Sequence, residues 1–341
     1  MHCLIYTYGS HERGMGHVYQ SYALSTALRD VADARITFLV PDYPDGLNKF
    51  RGWGVDIVEI PSKLSCEEKA SFLEERISSR QVDLIISDIL GSSQALMAYF
   101  RRKGRLLVSI DDIGDGRVYA DLLFNVIHHP TRPLGARYTE LSDLRYVIIR
   151  DEFRQFHAQA KEISERVNRL LVSQGGSDTF GGIIEMAKAM DSIPPDVEIV
   201  LLAGAAFRHE AELEVALKGT PRQFTVLKDV REMAKLMYTC DLAITGAGKT
   251  VFELAVVGVP FIIATEEPRE LETAEIVAQH VLCENLGLRA HAGSRKIAQA
   301  VGQLIMDRDR RKAMSCSGKM AVDGAGAQRV ALRIVQELQQ R

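Results

Sequence analysis

The stretch from Asp241 to Ile263, DLAITGAGKTVFELAVVGVPFII, constrains the fold of this chain more than any other. Leu242-Ala243-Ile244 is a short, wholly apolar run, the pattern of a strand buried on both faces of a parallel sheet. A glycine-rich turn follows, and the spacing predicts a helix from about Val251 that stops at Gly258. Val259-Pro260-Phe261-Ile262-Ile263 then opens another strand. A strand, a glycine turn and a helix start in succession make an anion site, because free N–H groups and the positive end of the helix dipole point over the turn. Thr245, Gly246, Gly248, Lys249 and Thr250 are therefore candidate diphosphate ligands. The glycines admit a phosphate to the backbone, and Lys249 and Thr250 add a charge and a hydroxyl. Glu253, one turn into the helix, faces the same mouth and can accept hydrogen bonds from a ribose diol. The alternative is that the glycines only make a tight strand-to-helix turn. A Walker A loop does not fit, since it needs a glycine five positions before the Gly-Lys pair, where Ala243 stands.

A chain of 341 residues exceeds one ordinary core and implies two domains. Its net charge of −3 gives no electrostatic reason to bind nucleic acid or a membrane surface. The five cysteines are scattered without a CxxC pair, as expected of reduced packing residues. No apolar run approaches the roughly 18 residues of a membrane span, so the expectation is a soluble, cytoplasmic protein.

In the N-terminal half, strands are expected over 3–8, 36–40, 57–60, 82–86, 105–110 and 122–125. Helices are expected from about 18 to 30, 67 to 79 and 93 to 100. Such alternation means a parallel sheet covered on both faces, with ligands at the carboxyl ends of the strands. Gly14-Met15-Gly16-His17 lies at one such end. The third glycine of a dinucleotide fingerprint is missing, which excludes a nicotinamide site there. His17 can serve as a general base, its ordinary pKa lying near working pH, or it can be a histidine bonded to loop backbone. His128-His129-Pro130 does not suggest a metal, because adjacent residues of an extended segment point to opposite faces. Asp111, Asp112 and Asp115 read as solvated turn caps. No metal and no cofactor are expected.

Residues 130–146 read as a surface connection, 146–149 as a strand and 150–168 as a charged helix. The expected organisation is a domain over 1–150, a linker helix over 151–167, a second domain over 168–324, and a C-terminal helix over 325–341 packed back on the first. The second series runs through strands at 170–172, 198–202 and 225–227, and helices at 182–190, 230–237, 271–280, 294–307 and 325–340. It carries a further glycine turn, Ser173-Gln174-Gly175-Gly176-Ser177-Asp178. Two such halves facing each other would bring the turns at 14–17, 173–178 and 245–250 together.

Several segments resemble the nucleotide-sugar enzymes of the GT-B fold. GMGHVYQSYALSTAL is similar to their G-x-G-H-V element, LLVSQGGSD to their strand-plus-GGSD turn, and DVREMAKLMYTCDLAITGAGKTVFELAVVGVPFI to their nucleotide-binding segment. The resemblance extends over nearly the whole chain, in particular to the UDP-sugar hydrolase of pseudaminic acid synthesis and the spore-coat polysaccharide glycosyltransferase-like proteins. It implies an α/β, GT-B architecture of two Rossmann-like domains across a cleft. The implied substrate is a nucleoside diphosphate sugar, UDP-linked, whose anomeric bond is broken with inversion by water; the alternatives are transfer to an alcohol and a non-catalytic nucleotide-sugar binder. His17 matches the family's base; Gly175, Gly176, Ser177 and Asp178 match its turn on the sugar–diphosphate side. Glu253 matches its ribose-gripping glutamate, and Val230 falls where its backbone contacts uracil. The chain departs from the pattern at Tyr6-Thr7-Tyr8, at Gln20 in place of an arginine, at Lys249 in place of a serine, and at Glu266-Glu267-Pro268-Arg269 in place of an Asn-Gln pair. The sugar half of the site is the altered half.

Overall fold

The computed structural model describes residues 1–77, 81–128, 137–220 and 222–341. The chain divides into two compact units. The first comprises Met1–Ser10, His17–Arg150 and Ala325–Arg341; the second comprises His11–Gly16 and Asp151–Gly324.

Apolar runs too short for helices build the sheet of the first unit. Its strands are β1 (His2–Thr7), β2 (Arg35–Pro41), β3 (Ile57–Ile60), β4 (Leu84–Asp88), β5 (Leu106–Ile110), β6 (Leu122–Phe124) and β7 (Thr139–Leu141). They lie in the order β3-β2-β1-β4-β5-β6-β7, with every neighbour parallel. Cys3, Leu4 and Ile5 of β1 and Leu84, Ile85 and Ile86 of β4 have no exposed surface, as central strands covered on both faces require. The order reverses between β1 and β4, whose last residues, Thr7 and Asp88, stand side by side. At such a reversal the connections leave to opposite faces and open a crevice at the strand ends.

The second unit repeats the plan with β8 (Arg169–Ser173), β9 (Glu198–Ala203), β10 (Thr225–Lys228), β11 (Leu242–Thr245), β12 (Phe261–Thr265) and β13 (Glu284–Leu288), ordered β10-β9-β8-β11-β12-β13. Here the reversal falls between β8 and β11, where Ser173 is paired with Thr245. The helix Thr250–Val257 buries Val251, Phe252 and Leu254 to Val257. A helix apolar on nearly every side is a buried one, and helices Asp151–His157, Met233–Tyr238 and Arg308–Ala321 pack around it. Each large apolar side chain so covered stabilises the fold by about 1.5–3 kcal/mol.

The α/β class and both parallel sheets are as expected; several local assignments need correction. Residues 146–149 form no strand. Leu144–Tyr146 is a 3-10 turn, and Val147, Ile148 and Ile149 are buried while β7 takes the sheet edge. The helix after Arg150 ends at His157, and 158–168 is irregular, fastened by Asp241, which accepts from Ser164 Oγ, Asn168 N and Arg169 N at 2.8, 2.8 and 3.0 Å. Helix 230–237 starts only at Met233. Helices Pro44–Gly52, Glu210–Lys218 and Arg308–Ala321 and strand β13 were not foreseen. The last of those helices buries Arg311, Ser315 and Gly318 beside Met314, so it carries no apolar stripe to read. Cys316 is exposed, unlike the buried Cys3 and Cys240, so it is no packing residue. The last two residues of the helix expected over 67–79, and 130–136 of the expected connection, lie outside the described residues.

Candidate functional site

In the first unit the chain leaves β1 and returns at helix Gly16–Ala32, which sets His17 in its first turn. His17 Nδ1 lies 2.7 Å from Asp88 Oδ1, not against loop backbone. Asp88 ends β4 and is fully buried. Gln20 Nε2 donates to the same oxygen at 2.8 Å and Ser21 Oγ to Oδ2 at 2.6 Å. A carboxylate accepts only, so it holds the proton on Nδ1 and leaves the Nε2 lone pair for chemistry. Gln20 also reaches Asp111 Oδ2 at 3.2 Å. The expectation of solvated caps is corrected here, since Asp111 and Asp112 are each 1% exposed and only Asp115 is exposed. Asp111 accepts from Val126 N at 3.0 Å. Asp112 accepts from Ser92 N, Ser92 Oγ, Ser109 Oγ and Gly114 N, while burial pushes its carboxyl up. Asp88 escaped the sequence reading; the available signal was an acid closing the apolar run Leu84-Ile85-Ile86.

The second unit gathers the three glycine turns. A Cβ built on Gly14 would lie 4.0 Å from Ser177 Oγ, and one on Gly16 3.9 Å from Lys249 Cγ. Gly176 must be glycine, because its Cβ would fall 2.8 Å from that of Met15. Thr179 Oγ1 donates to His11 O at 2.7 Å, and the His11 ring meets Ala206 O at 2.8 Å. Gly175 takes a positive φ of 81°. The helix starts after the two larger turns differ. Helix Gly182–Ala189 is capped by Asp178, whose oxygens accept from Gly182 N at 2.6 Å and Ile183 N at 3.1 Å. Asp178 is thereby buried and spent on the helix. Helix Thr250–Val257 has no N-cap side-chain bond. The N–H groups of Val251, Phe252 and Glu253 donate to the carbonyls of Gly248 and Lys249, and what the turn offers an anion is the positive end of the helix dipole. Gly248 is exposed there and Lys249, Thr250 and Glu253 are half-buried. Val230 lies between β10, at the sheet edge, and helix Met233–Tyr238, which packs on helix Thr250–Val257.

Beside these turns, next to Asp178, stand Glu266, which belongs to the stretch that departs from the family pattern, and Glu270, which the sequence pattern did not single out. Glu266 accepts from Gly182 N at 3.1 Å and faces Arg289 Nη2 at 3.4 Å. Its carboxyl is pushed up to about 8, by burial first and then by the Asp178 and Glu270 carboxylates. Burial raises Asp178 and Glu270 as well. Arg289 also pairs with Glu185. Among the described residues no group of three or more His, Cys, Asp or Glu side chains could hold a metal ion. His129 and Pro130 lie outside them. No helix among them is long and apolar enough to cross a membrane.

The model of the "Glycosyltransferase family 28 C-terminal domain" matches residues 156–328, half of the chain. Over 347 aligned residues the chain is 25% identical to the "Spore coat polysaccharide biosynthesis protein SpsG" of Bacillus subtilis, covering 99% of this chain and 98% of that protein. Among solved structures it is similar to MurG of Acinetobacter baumannii, with a TM-score of 0.66 at 15% identity over 98% of this chain and 99% of that one. It is also similar to Anabaena Alr3699/HepE in complex with UDP and glucose, with a TM-score of 0.65 at 12% identity over 99% of this chain and 100% of that one. The architecture is therefore GT-B.

Proposed function

This chain belongs to the glycosyltransferase family 28 C-terminal domain family, and on that premise we propose that it breaks the anomeric C–O bond of a UDP-linked sugar by direct attack of a His17-activated nucleophile. The observation that carries the reading is the 2.7 Å bond between His17 Nδ1 and the buried Asp88. That bond fixes the tautomer in which Nε2 accepts a proton. Water gives its proton to His17 as its oxygen bonds to the anomeric carbon from the face opposite the leaving group. The C–O bond electrons depart with UDP, and the sugar is released with inverted configuration. The positive end of helix Thr250–Val257 and the Lys249 ammonium receive the charge that grows on the leaving diphosphate. Glu253 holds the ribose, and backbone near Val230 the base. Gly175, Gly176 and Ser177 line the sugar side of the diphosphate, and Gly14 and Gly16 keep that side open.

UDP affinity tests the nucleotide half. Glu253→Ala is expected to weaken UDP by about 1–3 kcal/mol, the loss of a charged hydrogen bond. Lys249→Ala is expected to weaken UDP far more than uridine, and equal losses for both ligands would refute a diphosphate contact. The nature of the acceptor is tested by products: proton NMR of a UDP-sugar reaction in buffer alone should show free sugar of inverted configuration. A second reading, transfer to an alcohol, is favoured by the name of the matching family. It predicts intact UDP-sugar in buffer and release of UDP only with an added glycan.

A further inference from the structure

Gly246 stands against two side chains that the nucleotide reading does not use. A Cβ built on it would meet Gln174 Oε1 at 2.7 Å and the two carboxylate oxygens of Glu270 at 3.4 and 3.5 Å. Both groups are therefore aimed at the diphosphate turn. Gln174 is only 8% exposed. Its Nε2 donates to Ala264 O at 3.2 Å, which fixes the amide's orientation, because a carbonyl accepts only from the NH₂ end. Its Oε1 has no hydrogen-bond partner. Glu270 accepts from the backbone N–H groups of Glu266, at 2.7 Å, and of Glu267. The neighbouring acids are already matched: Asp178 caps a helix, Glu266 faces Arg289, and Arg269 pairs with Glu267. Beside the turn there remains a corner of acceptors with excess negative charge. A carboxylate so close to a diphosphate repels it unless a cation lies between them.

We propose that this corner reads a protonated amino group on the sugar of the nucleotide-sugar, its N–H groups donating to Glu270 and to Gln174 Oε1. The proposal rests on the nucleotide-sugar reading above and narrows its substrate to amino sugars. An ammonium brings several donors and the charge that offsets both the carboxylate and the diphosphate. An N-acetyl group brings one donor, no charge and more bulk. Burial raises the Glu270 carboxyl, against the pull of the Glu266 and Glu267 N–H groups and Arg269. A bridging metal is disfavoured because the oxygens of Asp178 are taken by backbone N–H groups and Glu266 faces Arg289.

The test is calorimetry on the full chain in EDTA, first with UDP. UDP-sugars carrying a free amine at C2 or C4 follow, each beside its N-acetyl and hydroxyl counterparts. At least one amine is expected to bind about tenfold tighter than both counterparts, roughly the selectivity of one charge-assisted hydrogen bond. Glu270→Gln keeps the shape and removes the charge, and should abolish most of that preference; Glu270→Ala should do the same. UDP binding by each variant reports that it is folded. UDP binding without preference for an amine overturns this proposal alone, as does a preference that survives in Glu270→Gln or that requires added Mg²⁺. Failure of the wild-type chain to bind UDP overturns the functional reading and this proposal with it.

Discussion

At the scale of single residues the chemistry depends on how buried acids are satisfied. Asp88 is fully buried and receives His17, Gln20 and Ser21. Under the proposed mechanism, His17→Asn is expected to lower turnover by roughly 10²–10⁴-fold, the usual contribution of a placed general base. Asp88→Asn should also lower turnover while leaving UDP affinity intact, since an amide can turn the imidazole to the wrong tautomer. A folded His17→Asn protein with near wild-type turnover would remove the base from the mechanism. Glu266 makes a separate prediction. Its carboxyl rises from an ordinary 4.5 to about 8, so the folded state binds this proton more tightly than the unfolded state. The stability it contributes is fully present below about pH 4.5 and is lost as pH rises toward 8. Thermal melts across that window should show stability falling with pH, with a shallower fall in Glu266→Gln. His17 was legible because glycines flank it at a strand end. Asp88 and Asp111 were not, because an acid closing an apolar run looks the same in sequence whether it meets water or a buried histidine.

At the scale of elements, strand-to-helix turns decide what is offered to a ligand. Both larger glycine turns stand at a strand's carboxyl end, yet Asp178 closes one helix start while the other has only backbone carbonyls on its first N–H groups. Asp178→Ala is expected to cost about 1–2 kcal/mol as a lost cap, read as a lower melting temperature, and Asp178→Asn should recover part of it. An unchanged melting temperature in Asp178→Ala would show the cap to be idle. The central strands and the buried helix Thr250–Val257 could be read because apolar runs of strand and helix length are bounded by a glycine turn and Gly258. Helix Arg308–Ala321 could not, since its buried guanidinium Arg311 bonds the carbonyls of Leu304, Ser164 and Glu165 at 2.9, 3.0 and 3.1 Å. A buried arginine is recognisable only once its acceptors are placed around it.

At the scale of the whole molecule, both units are built from parallel strands joined by crossovers, so their cores depend on contacts distant in sequence. The helix Gly326–Gln339 belongs to the first unit. Its first residue leaves no space for a side chain, because a Cβ on Gly326 would fall 1.9 Å from Val147 O. Gly326→Ala is therefore expected to lower the melting temperature by forcing the helix off Tyr146 and Val147, whereas a surface change such as Gln340→Ala should not. Arg105 Nη2 donates to Leu338 O at 3.1 Å, and Arg341 pairs with Asp121 at 2.8 Å, binding the same helix to β5 and β6. This arrangement bears on biosynthesis. The ribosome releases the described strands of the first unit long before it makes the helix that packs on Leu144–Tyr146 and Val147. Throughout translation of residues 151–324 the nascent first unit presents an unfinished apolar face, and only the second unit can be completed in the order in which it is made.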